Sequence, residues 1–126
     1  MKVLMIEPGK KPRKAEIDGS LEGMQKVVGG YIQAIYPFED PVVLICNEEG
    51  KLLELPFNRA LRDEDGDIYD IVAGTFFLCS APPDSDSFED LSDELMEKYS
   101  QRFSYAEMFL EVDGKIVCLR QFVIDA

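Results

Sequence analysis

The chain has 126 residues, with 13 Lys and Arg against 25 Asp and Glu, a formal net charge of −12 and no histidine. This length suits one domain with one ordinary core, and the 46% hydrophobic content excludes disorder along the whole chain. The acidic balance makes direct binding to a nucleic-acid backbone unfavourable, and the lack of imidazole excludes Ser-His-Asp and Cys-His catalysis.

The first third of the chain predicts short strands around one helix. Leu21–Val28 has apolar residues at helical spacing, and Asp18-Gly19-Ser20 offers oxygens that can cap its first turn. Gly29-Gly30 ends this helix, because glycine accepts the positive φ that is common just after a helix. Strands are predicted at Lys2–Ile6, Lys14–Ile17 and Tyr31–Tyr36. A helix that leads directly into a strand indicates a helix packed on a sheet.

The middle of the chain predicts a hairpin followed by a short helical turn. Val42–Cys46 is almost continuously apolar, which is typical of a strand covered on both faces. Lys51–Leu55 is predicted to run back beside it as the second strand of the hairpin. Asn58–Arg62 is predicted to form a turn of helix with Asn58 as its cap. Thr75–Cys79 is predicted as a further strand, while periodicity leaves the preceding segment ambiguous.

The last third of the chain predicts a second helix and a terminal hairpin. The helix begins near Ser92, with an earlier start at Ser87 left open, and Leu91 can pack against Met96 across its first turn. Two strands, Glu107–Val112 and Lys115–Val123, flank Asp113-Gly114, a dipeptide that favours a tight type I′ turn. The expected architecture is therefore one α+β domain over residues 1–126, a mostly antiparallel sheet of hairpins with two main helices packed on it.

Location and cysteine chemistry follow from the apolar runs. No run approaches the length of a membrane span, and the short apolar start is interrupted at Glu7, so we expect a cytoplasmic protein with no membrane contact.

Cys46, Cys79 and Cys118 each lie inside a strand-like apolar run, which predicts small buried core residues.

Polar residues between positions 58 and 70 form the candidate interaction surface. Two interpretations are open for its arginines: structural ion pairs with Asp63, Asp67 or Asp70, or a site that binds a ligand or partner. The residues of this candidate surface are Asn58, Arg59, Arg62, Asp65, Asp67 and Asp70.

The acidic run Asp63–Asp70 has the composition of a calcium loop without its spacing. An EF-hand loop places glycine sixth, which would make Leu61 the first ligand and Val72 the last. Neither side chain carries an oxygen. We therefore predict no metal site here, and the sequence also predicts no cofactor and no catalytic residue.

The sequence contains a characteristic set of segments, Leu21–Ile32, Cys46–Lys51, Leu55–Leu61 and Asp65–Phe76, with the Ser92–Phe103 helix and the terminal hairpin. Taken together, these segments resemble the domain of unknown function 3846 family, which is common in phages and conjugative elements of bacteria. The resemblance implies a setting, an accessory product of a mobile element, and no reaction. No catalytic or binding residue is transferred by it.

Three hypotheses for function follow. The first is a small cytoplasmic accessory protein of a mobile element that acts as a protein-interaction module, with another protein as its partner. The second is an acidic decoy that imitates DNA to occupy a nuclease or restriction enzyme. The third, which the lack of histidine disfavours, is a carboxylate- or metal-dependent enzyme. The identity of the partner, the oligomeric state and the strand order stay open at this point.

Overall fold

The computed structural model describes residues 1–124, which form nine strands and two helices. All strand pairs are antiparallel, so the predicted α+β class, with a mostly antiparallel sheet, is confirmed. The elements in chain order are β1 Lys2–Ile6, β2 Arg13–Glu16, α1 Leu21–Val28, β3 Ile32–Ile35, β4 Val42–Asn47, β5 Phe57–Arg62, β6 Ile68–Ala73, β7 Phe76–Ser80, α2 Asp93–Arg102, β8 Tyr105–Val112 and β9 Lys115–Val123.

The main sheet has five strands in the order β2-β1-β7-β4-β3. Strand β4 lies between β3 and β7, and every residue from Val42 to Asn47 is buried, which confirms the prediction of a strand covered on both faces. Because side chains alternate along a strand, the sheet buries two separate apolar surfaces. The pairs β5–β6 and β8–β9 form two further two-stranded sheets.

A helix packs on each face of the main sheet. On one face, Met24 and Val28 of α1 join a cluster with Val43 and Ile45 of β4. On the other face, side chains of α2 join a second cluster together with residues of β1, β4, β5, β6 and β7. The helices therefore cover opposite faces, and β5–β6 shares the face of α2.

Both helices begin at the predicted residues, and α1 also ends where Gly29-Gly30 predicts. Ser20 accepts a hydrogen bond from Gly23 N at the start of α1, and Gly29 ends it with φ of 80°. Ser92 caps α2 in the same way, through Leu95 N. The terminal hairpin also forms as predicted, since Asp113 and Gly114 both have positive φ, as a type I′ turn requires.

The predicted strand at Lys51–Leu55 is wrong, because both edges of β4 are already paired with β3 and β7. The chain instead coils through successive turns, in which Leu53 N donates to Glu49 O and Leu55 N donates to Gly50 O. Glu54 takes a left-handed conformation with φ of 57°. The sequence pattern that predicts this hairpin is local. In the fold, β4 pairs with β3 and with β7, which is distant in sequence, so no edge of β4 is left for residues 51–55.

The predicted helical turn at Asn58–Arg62 is also wrong, since these residues belong to β5 and pair with β6. The ladder shifts register between Phe57 and Arg59, which makes Asn58 the extra residue of a β-bulge. The bulge turns the Asn58 side chain into the protein, where it binds carbonyl groups at strand ends and does not cap a helix.

Among residues 1–124, no helix is both long and apolar enough to cross a membrane.

Candidate functional site

The amide of Asn58 is a buried junction between sheets. Its Nδ2 donates to Ile6 O and to Gly74 O, both at 2.9 Å. Ile6 ends β1 and Gly74 lies in the turn between β6 and β7, so one side chain satisfies carbonyls at two strand ends. Asn58 is 1% exposed, which gives it a structural role and keeps it from the surface on which the sequence analysis placed it.

The guanidinium of Arg59 extends this junction to the end of α2. It donates to Asn58 Oδ1 at 2.8 Å, Lys10 O at 2.8 Å and Phe103 O at 3.0 Å. Its Nε has no partner among the described residues. Burial lowers the pKa of Arg59 from its usual value, and the nearby Glu107 carboxylate opposes that shift. Arg59 is thus a buried cation held by neutral oxygens. It forms no ion pair with Asp63, Asp67 or Asp70, which was one of the two interpretations open from the sequence.

Arg62 forms an ion pair with Glu107, an acid outside the candidate surface. Its NH1 lies 2.5 Å from Oε1 of Glu107, whose side chain is 3% exposed. The same carboxylate accepts from Ala60 N at 2.6 Å and from Gln121 Nε2 at 2.8 Å. Because Glu107 lies in β8, this contact fastens the terminal hairpin to β5. Only the folded structure brings residues so distant in sequence together.

The loop between β5 and β6 gathers three exposed carboxylates. Asp63 Oδ1 accepts from Asp65 N at 2.9 Å and from Asp67 N at 3.0 Å, which orders the loop. Carboxylate oxygens of these three residues lie within 4.8 Å of one another, so they are the group here that could hold a cation. The absence of tight calcium binding stays a prediction, based on the failed EF-hand spacing.

A polar cleft with a volume of about 630 Å³ lies between this loop, the Tyr36–Asp40 segment and α2. Asp40 accepts from Lys98 Nζ at 2.6 Å and from Tyr99 Oη at 2.7 Å. The Lys98 and Tyr99 hydrogen bonds lower the pKa of Asp40. An acid held ionised in this way is a poor proton donor.

Asp70 belongs to a groove, which we call the β6 groove, between the turns at 51–55, β6 and the terminal hairpin. The groove has a volume of about 790 Å³. Asp70 accepts from Lys51 Nζ at 2.6 Å on its rim. Of the six residues in the predicted surface, Asp70 is the one that lines this groove, whereas Arg62 and Asp65 line the cleft beside α2. Asp67 is also exposed and lines neither region, so the accessible residues of that surface do not form one site.

The outer face of the terminal hairpin is an exposed apolar surface. Met108, Leu110 and Val112 are alternate residues of β8, and each is 42–48% exposed. Val117 of β9 lies opposite Leu110, and Leu119 nearby is 53% exposed. Sequence reasoning identified this hairpin and missed its surface, although the alternating apolar residues on both strands were the available signal.

The cysteines differ in their surroundings. Cys46 and Cys79 are buried, and burial raises the pKa of Cys46 to about 11 and that of Cys79 to about 12. Cys118 is half-buried, with its Sγ 3.7 Å from NH2 of Arg62. The predicted core location therefore holds for two cysteines and is only partial for the third.

Most of the chain matches a known protein family. A family model described as a domain of unknown function, DUF3846, matches residues 1–104. The match contains the Asn58–Arg59 junction and α2, and it ends just before β8, so the terminal hairpin lies beyond it. No curated protein and no solved structure matches the chain. Because the match spans most of its length, the chain belongs to the DUF3846 family.

Proposed function

We propose that this protein is a small cytoplasmic accessory protein of a mobile element and that it acts as a protein-interaction module. The mobile-element setting rests on the resemblance described above, and the cytoplasm is the default expected from the apolar runs. The interaction role rests on one observation, which is the outer face of the terminal hairpin.

That face combines an apolar surface with an unpaired strand edge. Five aliphatic side chains expose a few hundred Å², a size at which contiguous patches commonly mark interaction sites. Within residues 1–124, β9 pairs with β8 alone, so one of its edges keeps unpaired N–H and C=O groups. A partner can bury the aliphatic side chains, add a strand to this edge, or do both.

The second hypothesis, an acidic decoy, has weaker support. A DNA mimic needs acids spaced like phosphates on one face, with few cations among them. The cleft between the acidic loop and α2 is lined by Arg62, Lys98 and Arg102 as well as by carboxylates. Acids are dense in two stretches of the chain, residues 63–70 and 84–97. The cations of the cleft reduce the negative field beside the first stretch, which disfavours the decoy.

The test is affinity capture from a lysate of the source cells with two matched variants. Leu110→Lys with Val117→Lys places charges on the outer face, where both side chains are solvent-accessible and folding should be retained. Glu22→Gln with Glu97→Gln, at exposed positions of the two helices, makes the same change in net charge and is the control. Our proposal predicts a reproducible partner that the first variant loses and the control keeps. Capture of the same proteins by both variants would contradict it.

A further inference from the structure

The β6 groove has an apolar lining on three sides. Leu55 comes from the turns before β5, Phe57 from β5 itself, and Ile68 and Ile71 from β6. Ile116 of β9 closes the far side. A concave site of about 790 Å³ lies in the range that holds a short peptide or a small ligand. The groove uses the inner side of the hairpin, so it is separate from the outer face.

The rim of the groove is acidic. Glu54, Asp70 and Glu111 contribute carboxylates, and Lys51 is the one cation of the described lining. Lys51 already pairs with Asp70 at 2.6 Å. Glu54 and Glu111 make no ion pair with any residue in 1–124. Two carboxylates of the groove therefore have no ion-pair partner among the described residues.

We propose that the β6 groove binds a segment of a partner protein in which aliphatic residues alternate with lysine or arginine. The aliphatic side chains would fill the space against Phe57, Ile71 and Ile116, and the cations would lie beside Glu54 and Glu111. This inference rests on the proposed function and names the chemistry of the partner. The chain as a whole carries −12, which also attracts a basic partner to the groove.

An acidic segment does not suit the same groove. It would place carboxylates beside Glu54 and Glu111, where like charges repel each other. A second copy of this chain is disfavoured by the same reasoning, because its body is strongly acidic. Residues 1–104 contain 11 Lys and Arg against 21 Asp and Glu.

The experiment uses a fluorescent synthetic peptide of alternating leucine and lysine, titrated with the full-length protein and followed by anisotropy. Two further peptides replace all lysines by glutamate or all leucines by serine. The rim variant is Glu54→Gln with Glu111→Gln. The control variant, Glu16→Gln with Glu97→Gln, changes the net charge equally at exposed positions outside the groove.

We expect the leucine–lysine peptide to bind and the other two peptides to bind much more weakly. The rim variant should weaken binding about five- to tenfold, the effect of losing two exposed charge contacts, and the control should change it less than about twofold. No binding, or equal weakening by both variants, would overturn the inference. The proposed function would still stand in that case if variants of the outer face lose their partner on capture.

Discussion

At the scale of single residues, the Arg59 side chain joins β5 to two other segments of the chain. It holds carbonyls of the loop after β1 and of the end of α2, and no carboxylate lies within ion-pair distance of it in residues 1–124. Its cost of burial is offset by these hydrogen bonds. A residue that looked like part of a surface from its sequence is thus a support for the core.

Arg59→Ala should therefore lower the free energy of unfolding by about 3 kcal/mol or more, because several buried oxygens lose their donor. Arg13→Ala, at an exposed ion pair with Glu7, should change it by less than about 1 kcal/mol. Urea denaturation of both variants measures the difference. Equal losses would show that Arg59 does not support the fold.

Cys79 gives a pH-dependent prediction. Its pKa is raised by burial to about 12, whereas an unfolded thiol ionises near pH 8.5, about its ordinary value. The folded state therefore keeps a proton that the unfolded state loses, so the contribution of Cys79 to stability is complete below pH 8.5 and is lost as the pH rises towards 12. Between pH 9 and 10.5, the free energy of unfolding of the unaltered chain should fall as the pH rises. In Cys79→Ala this fall should be shallower by about 1.4 kcal/mol per pH unit.

Val43→Ala is the matched control for that measurement. Val43 lies directly opposite Cys79 in the sheet and is also fully buried, so its loss leaves a cavity without removing a titrating group. Its pH dependence should equal that of the unaltered chain. A parallel pH profile for Cys79→Ala would contradict the assigned role of the thiol.

At the scale of elements, local chemistry explains which parts of the fold could be predicted. Ser20, Gly29, Ser92 and Asp113-Gly114 act on their immediate neighbours, and the sequence indicated each of them correctly. The conformations of residues 51–55 and 58–62 depend on which distant strand pairs with their neighbours. A local sequence pattern does not indicate that pairing. For the same reason Glu107, as partner of Arg62, could not be found from spacing alone.

The junction of α1 and β3 is sensitive to single substitutions. A Cβ on Gly30 would lie 2.9 Å from Nδ2 of Asn47, the group that donates to Val28 O at 3.1 Å. Gly30→Val should displace this donor, and Val28→Ala should cost on the order of 1–3 kcal/mol through lost burial. Asp84→Ala and Asp86→Ala, on an exposed loop, should stay within about 0.5 kcal/mol. Gly30→Val and Val28→Ala should thus each lower the free energy of unfolding more than either aspartate substitution does. Denaturant unfolding in which either aspartate substitution costs more than both Gly30→Val and Val28→Ala would contradict this prediction.

The attachment of the terminal hairpin depends on Glu107. Glu107→Ala leaves Arg62 and the amide of Ala60 without their acceptor, so we expect faster hydrogen exchange throughout β8 and β9. The main sheet should keep its protection. Glu111→Ala, on the same strand and with no ion pair in the described residues, is the control. Equal exchange in the two variants would mean that the hairpin is held by its apolar contacts alone.

At the scale of the whole molecule, charge and apolar exposure are separated. The body at residues 1–104 has ten more acids than bases, whereas residues 105–124 contain three acids and two bases. The body can therefore attract a basic partner over a distance, and the nearly neutral hairpin can bury apolar surface on contact. This division suits an interaction module better than a decoy, whose acids must themselves form the contact.

Hydrogen–deuterium exchange on the captured complex, compared with the isolated protein, tests this interpretation most directly. An interaction module predicts new protection of β8, β9 and the β6 groove, where the apolar surface and the unpaired strand edge lie. A decoy predicts protection of the acidic stretches at 63–70 and 84–97, with the hairpin unchanged. Protection confined to those acidic stretches would contradict the assignment of the hairpin as the binding element.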